Sequence, residues 1–229
     1  MSVDPLRPTA HDVSEYSGAH DHRPVALIRR SALAANLETA HDAGLVTVDP
    51  EVLEADGWGH GEAEVRRAVS EAGLGWATSD VDAVDGAHLF GLPGSRGVPA
   101  MAFRGRVVST KRVLAGEGVS YGYTFRAAAD TTVALVSGGY AQGVVRALGN
   151  RVAVRIAGRN APVIGRVAMD VCVVDLGSTG RAEPGDRAHF FGDPESDEPS
   201  LDTWTAATGL TAGEIVAIVG ARARRVASG

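Results

Sequence analysis

Apolar positions along the chain fall into two textures. From Arg23 to about residue 101, short apolar runs alternate with stretches of helical spacing. Val25-Ala26-Leu27-Ile28 reads as a buried strand. Ser31 stands where it can cap a helix through Ala32, Leu33, Ala35, Asn36, Leu37 and Ala40, ending near Gly44. Leu45-Val46-Thr47-Val48 is a second strand. Glu62 to Ala72 is a second helix, with Val65, Ala68, Val69 and Ala72 on one face. Leu74-Gly75-Trp76-Ala77 and His88-Leu89-Phe90 read as two more strands. Strand alternating with helix predicts parallel βα units. A closed (β/α)₈ barrel takes roughly 250 residues, so this segment is a barrel remnant or a small open layer.

After Phe103 the pattern turns to β. Arg106 to Val113, Thr131 to Ser137, Val152 to Ile156, Val171 to Asp175 and Arg187 to Phe191 are strand candidates. Between them stand turn signals: Ala115-Gly116-Glu117-Gly118, Gly149-Asn150, Gly158-Arg159-Asn160 and Pro184-Gly185-Asp186. Thr211-Ala212-Gly213-Glu214 is a capping box that opens a short helix through Ile215, Val216 and Ile218. The expected class is α+β: a shortened α/β segment followed by an antiparallel β-barrel or sandwich. The expected division is a disordered tail over 1–22, the α/β remnant over 23–101 and the β-domain over 102–229. The β-domain is expected to fold without the remnant.

Composition narrows the function classes. A net charge of −6 gives no footprint for nucleic acid or a membrane surface, and no apolar run approaches a membrane span. The N-terminus lacks a charged head followed by an apolar stretch. Cys172 is the single cysteine, which points to a reduced, cytoplasmic protein. His20-Asp21-His22 has no second ligand cluster and reads as part of a solvated tail, not a metal site. Glu195-Ser196-Asp197-Glu198-Pro199 reads as a solvated acidic connection, and Trp76 and Trp204 as packing residues. Lys111 is the only lysine, which restricts any chemistry that needs an amine. It lies beside Arg112 on a β-domain strand and reads as a surface residue.

Three ordered motifs in the second half carry a resemblance. They are Leu114-Ala115-Gly116-Glu117-Gly118-Val119-Ser120-Tyr121-Gly122, Val136-Ser137-Gly138-Gly139-Tyr140-Ala141-Gln142-Gly143 and Ala161-Pro162-Val163-Ile164-Gly165-Arg166-Val167-Ala168-Met169-Asp170. This half resembles the C-terminal β-domain of alanine racemase, with Gln142 where the family usually has an acid. In the first half, Ala55-Asp56-Gly57-Trp58-Gly59-His60-Gly61 resembles the family's K-A-D-x-Y-G-H-G segment without its first residue. Asp85-Gly86-Ala87-His88-Leu89-Phe90-Gly91-Leu92 resembles its last barrel strand and loop. The middle strands of the family's barrel are missing between them.

The resemblance implies a pyridoxal-phosphate isomerase working on alanine, in the context of D-alanine and cell-wall precursors. In that family two bases flank the substrate: a lysine that also holds the cofactor, and a tyrosine from the partner subunit. Both are needed, because a proton removed from one face must be returned on the other. The tyrosine falls on Tyr121, and the substrate-side positions on Tyr140 and Met169. The lysine position falls on Glu54, and a carboxylate cannot condense with an aldehyde. The arginine that pairs with the cofactor's ring nitrogen falls on Val84. Two phosphate-contacting tyrosines fall on Trp58 and Ala221. Covalent attachment of pyridoxal phosphate is therefore not expected. His60 takes a structural place at a loop entering a helix, and Met169 and Cys172 read as core or interface side chains. The functional expectation is a binding or regulatory module, a pseudoenzyme of the family. The alternative is an active subunit, or one that lends Tyr121 in trans. The expected partner is a second copy or a complete racemase.

Overall fold

The computed structural model describes residues 22–78, 82–120 and 122–228. Of the tail only His22 is among them, and Tyr121 lies outside them.

Six antiparallel strands close on themselves: Met101–Val113, Thr131–Ser137, Val171–Gly177, Arg159–Ile164, Ala153–Ile156 and Arg187–Phe191, the last pairing back to the first. The expected barrel or sandwich is thus a barrel. Its strands alternate as the pleat requires. Ala134 and Val136, Val154 and Ile156, Ala161 and Val163, Cys172 and Val174, and Ala188 and Phe190 all face one buried cluster. Closure depends on the long strand Met101–Val113. Its first part pairs with Arg187–Phe191 and its second with Thr131–Ser137. The change of partner falls just past Gly105, between Arg106 and Val107; a Cβ at Gly105 would lie 2.1 Å from the Ser137 carbonyl oxygen and 2.9 Å from the Phe190 ring. Only glycine admits that approach.

Several expectations need correction. Arg159-Asn160 is not a turn: Ala157 and Gly158 take positive φ as a two-residue hairpin loop, so Arg159 already pairs with Ile156. His88-Leu89-Phe90 is not a strand. The Asp85 carboxylate accepts the His88 N–H at 2.7 Å and starts the helical turn Gly86–Leu89. The strand there is Ala83–Val84, which pairs in parallel with Thr47–Val48, as Gly75–Trp76 does on its other side. Ser31 lies inside the helix Arg30–Asp42, whose N-cap Arg29 makes no side-chain capping bond. The capping box at Thr211 and Glu214 is present and opens the helix Ala212–Arg222. The helix Asp202–Thr208, which no sequence signal marked, buries Trp204 against Phe103, Phe190 and Phe191.

The two parts share a sheet and a core. Val25–Arg29 pairs antiparallel with Met101–Arg104 and parallel with Arg224–Ser228. Ala26 and Ile28 from this strand join the same buried cluster as the barrel interior. The expected boundary at 101/102 falls inside the strand that both parts use.

The acidic loop is solvated at Glu195, Ser196 and Asp197 but not at Glu198. Glu198 is 7% exposed. It accepts Arg104 at 2.6 Å, His189 Nδ1 at 3.0 Å, the Asp193 N–H at 2.9 Å and a short contact from Arg29. Burial pushes its carboxyl up, but the bonds from His189, Arg29, Asp193 and Arg104 outweigh this and hold it well below the usual range. His60 is also buried, stacked on Phe90 with ring centroids 4.1 Å apart. Its Nδ1 contacts the Gly57 and Trp58 carbonyls at 3.1 and 3.2 Å, which places the proton there, and Nε2 has no partner. Burial pushes this ring down to about 4, against the two carbonyls that favour the charged form.

Three outcomes follow from this packing. The fragment 102–229 lacks Arg29 and the strand between Met101–Arg104 and Arg224–Ser228. Its urea midpoint is expected well below that of 23–229, and equal midpoints would show the strand to be dispensable. Glu198→Gln removes the carboxylate from two part-buried arginines and is expected to cost about 3 kcal/mol, read by denaturant unfolding. His60 has a folded pKa below its unfolded one, so it stabilises the fold above about pH 6.5. That stability is lost as pH falls toward 4, by up to about 3 kcal/mol. Unfolding free energies measured from pH 7 to 4 should fall, and His60→Leu should flatten the slope.

Candidate functional site

The segment carrying Glu54 starts from Asp49, whose carboxylate accepts the Glu51 N–H at 2.9 Å and opens the 3₁₀ turn Pro50–Leu53. Ala55, Asp56, Gly57, Trp58 and Gly59 then all take positive φ. Three of these are not glycine, and left-handed backbone costs L-residues roughly 1–2 kcal/mol each. Local bonds hold the turn. Gly59, His60 and Gly61 N–H groups donate to Ala55, Gly57 and Asp56 carbonyls at 3.0, 2.8 and 2.8 Å. The Asp56 carboxylate accepts the Glu62 N–H at 2.8 Å and pairs with Arg225, and these bonds keep its carboxyl below the usual range.

Within this turn Glu54 is exposed. Val84 is buried at 1% exposure on the neighbouring parallel strand, with no donor to offer. The Trp58 indole donates to the Glu51 carbonyl at 3.1 Å and packs beside Phe90 at 5.6 Å. Its ring fills the gap between two elements. A Cβ at Gly86 would lie 2.8 Å from Trp58 Cη2, and one at Gly213 would lie 2.8 Å from Cζ3. Pyridoxal phosphate held in the family's manner needs an amine, a cation at its ring nitrogen and hydroxyls at its phosphate. Glu54, Val84, Trp58 and Ala221 supply none of these, and the indole occupies the space beside Gly86. The residues present do not fit the group.

Tyr140 and Met169, which the resemblance assigns to the substrate side, stand on a second face. The turn Gly138–Gly143 lies against the loop Ala168–Asp170. Gly138, Tyr140 and Ala141 N–H groups donate to the Asp170, Ala168 and Met169 carbonyls at 2.8, 3.0 and 2.9 Å. Tyr140 and Met169 are thereby brought together. Met169 is 55% exposed, so it is not a core residue. Gln142 fastens the turn: its Oε1 accepts the Gly139 N–H at 3.0 Å and its Nε2 donates to Asp170 Oδ1 at 2.8 Å. A carboxylate at 142 would repel Asp170 instead. Tyr121's neighbours lie at the same loop. Ser120 Oγ donates to the Arg166 carbonyl at 2.7 Å, and a Cβ at Gly122 would lie 3.3 Å from the Arg166 guanidinium.

Arginines at this face were not anticipated from the sequence. The Arg146 guanidinium sits 4.3 Å over the Tyr140 ring, and Arg222 donates to the Tyr140 carbonyl at 3.1 Å. Arg146 reaches the ring from the 3₁₀ turn that follows Tyr140's own, whereas Arg222 reaches the carbonyl across the fold, where no spacing in the sequence marks it. Arg222 ends the helix Ala212–Arg222, against which Gly59 of the left-handed turn and Gly143 of the Tyr140 turn both pack. One helix therefore joins the two faces. Cys172 is 1% exposed and burial pushes its thiol up to about 12, so it is an inert core side chain. Among the described residues no group of three His, Cys, Asp or Glu could hold a metal ion.

The comparisons agree with this architecture. The alanine racemase C-terminal domain family matches residues 100–227. The alanine racemase of Thermobifida fusca is 44% identical over 138 residues, which cover 60% of this chain and 36% of that protein. That of Mycobacterium avium is 45% identical over 121 residues, covering 52% and 31%. The match thus spans about a third of the length of these relatives. The solved alanine racemase from Streptomyces coelicolor superposes with a TM-score of 0.80 at 20% identity, covering 90% of this chain and 98% of that one. The enzyme from the D-cycloserine-producing Streptomyces lavendulae gives 0.61 at 27% identity, covering 90% and 66%. A closed barrel carrying the Tyr140 and Met169 turns, matched over more than half of its length, places this chain in the alanine racemase family through its C-terminal domain.

Proposed function

We propose that this chain keeps the racemase β-domain as a binding or regulatory module and has lost the pyridoxal-phosphate chemistry. The carrying observation is the exposed carboxylate of Glu54, at the position the resemblance gives to the lysine, beside an indole that fills the gap between Gly86 and Gly213. Lys111 is the only lysine in the sequence, and it lies on the strand Met101–Val113, paired opposite Val133. The second reading is that the chain lends Tyr121 to a complete racemase. Its support is the Tyr140–Met169 face, which is held by backbone bonds and leaves Met169 open to a partner. On either reading the partner is a second copy or a complete racemase, with neither nucleic acid nor membrane involved. Among the described residues no single helix is long and apolar enough to cross a membrane. A reduced cytoplasm is the compartment we propose, on the single buried thiol.

After dialysis of the purified chain incubated with pyridoxal phosphate, no cofactor absorbance is expected to survive for borohydride to trap. Covalent trapping on a residue would overturn the reading. Glu54→Lys alone is expected to give no alanine racemisation, because Val84, Ala221 and the Trp58 ring remain. A misplacement of about 1 Å already costs roughly 100-fold. The readout is D-alanine formation in a host lacking its own racemase. The second reading is tested by mixing this chain with a complete racemase subunit that lacks its own tyrosine. Activity that appears on mixing and vanishes with Tyr121→Phe would establish lending in trans, and a chain that never co-sediments with a racemase would end it.

A further inference from the structure

His60 and Glu198 are both buried, at 1% and 7% exposure, but they are satisfied in opposite ways. Glu198 is surrounded by donors to its charge. The His60 ring is satisfied only when neutral. Its Nδ1 meets the Gly57 and Trp58 carbonyls at 3.1 and 3.2 Å, and its face stacks on Phe90. A second proton would go to Nε2, which has no partner among the described residues. The closed structure therefore resists charging the ring. Charged groups on the surrounding elements give no relief. Glu62 is taken by Arg66, Glu64 by Arg30 and Arg67, and Asp56 by Arg225 and the Glu62 N–H. His88 Nε2 meets the Asn36 carbonyl at 3.0 Å, and Asp85 accepts the His88 N–H. Glu54 is exposed to water. The helix Ala212–Arg222 presents Val216, Ala217 and Gly220 to Gly59, and Arg225 adds a field that opposes a second positive charge.

The segment that carries this ring is poorly built to hold it against a charge. Ala55, Asp56 and Trp58 stay in the left-handed region that L-residues disfavour, and opening relieves that strain. The segment's backbone bonds, from Gly59 to Ala55, His60 to Gly57 and Gly61 to Asp56, are internal to it. Contact holds it closed: the His60–Phe90 stack, Trp58 between Gly86 and Gly213, and Gly59 against the helix. The barrel has the opposite character. Its bonds run between strands, so its central amides are released only when strands separate.

We propose that residues 54–61 form an acid-opened latch: protonation of His60 releases this segment locally, withdrawing Trp58 from the gap between Gly86 and Gly213 while the barrel stays folded. The device stands whether the chain is a binding module or lends Tyr121 to a racemase. The open ring titrates at its ordinary 6.5 and the closed ring at about 4. The closed form is therefore favoured fully above 6.5, and opening grows as pH falls from there toward 4. The test is amide hydrogen exchange of the full chain, followed by nuclear magnetic resonance and corrected for the intrinsic exchange rate. Gly59, His60 and Gly61 are compared with Val136 and Val174 of the barrel. From pH 7 to 5 the opening constant of the three turn amides is expected to rise about twentyfold. At every pH they are expected to open at least about tenfold more readily than the barrel amides. In His60→Phe, which keeps an aromatic face against Phe90, the turn constant is expected to change less than about threefold over the same range. Turn amides that open only with the barrel, a turn constant that does not move with pH, or a variant that keeps the native slope would each overturn the proposal. The first two are read on the native chain, so they decide the matter even if His60→Phe fails to fold.

Discussion

A carboxylate at 7% exposure, surrounded by two arginines, a histidine and a backbone amide, ties this structure together. Glu198 sits on a connecting loop, Arg29 on the first strand, Arg104 on the long barrel strand and His189 on the strand that closes the barrel. Removing any one partner strands charge in a place that water reaches poorly, where an unpaired ion is costly. The network therefore fixes where the first strand docks. Everything carried after that strand, including the left-handed turn with Glu54, is positioned by its attachment there.

The helix Ala212–Arg222 provides the second coupling. It packs against Gly59 at one end of the candidate site and against Gly143 at the other, and its last residue bonds the Tyr140 carbonyl. The two faces are thus built on one rigid element, though their residues lie more than eighty positions apart in sequence. Rigid elements hold side chains more closely than loops do. The retained frame accounts for the retained turn geometry even where the chemistry-bearing side chains differ.

At Trp58 the same frame has been refilled. Where the resemblance implies a phenol, an indole spans Gly86 and Gly213 and bonds the Glu51 carbonyl. It supplies from within the chain a packing body for this junction. At Gln142, an amide replaces an acid and bonds both Gly139 and Asp170.

The sequence by itself determined the β-texture of the second half, the capping box at Thr211 and the parallel strands of the first half, and it supplied the motifs in which Tyr140, Met169 and Glu54 stand. Those features are local: strand alternation, helical spacing, a cap and its partner three residues on. Tertiary structure alone decided the rest. The burial of Glu198 was invisible because its four partners come from distant segments, and an acidic run at a loop ordinarily meets water. The docking of Val25–Arg29 into the barrel sheet depends on a strand about seventy residues later. Arg222 meets the Tyr140 carbonyl only after the helix and turn have packed. The wedge of Trp58 between Gly86 and Gly213 required two glycines that the sequence offered only as turn or helix residues. Pairing and packing at long range carry no local period, so no pattern along the chain could mark them.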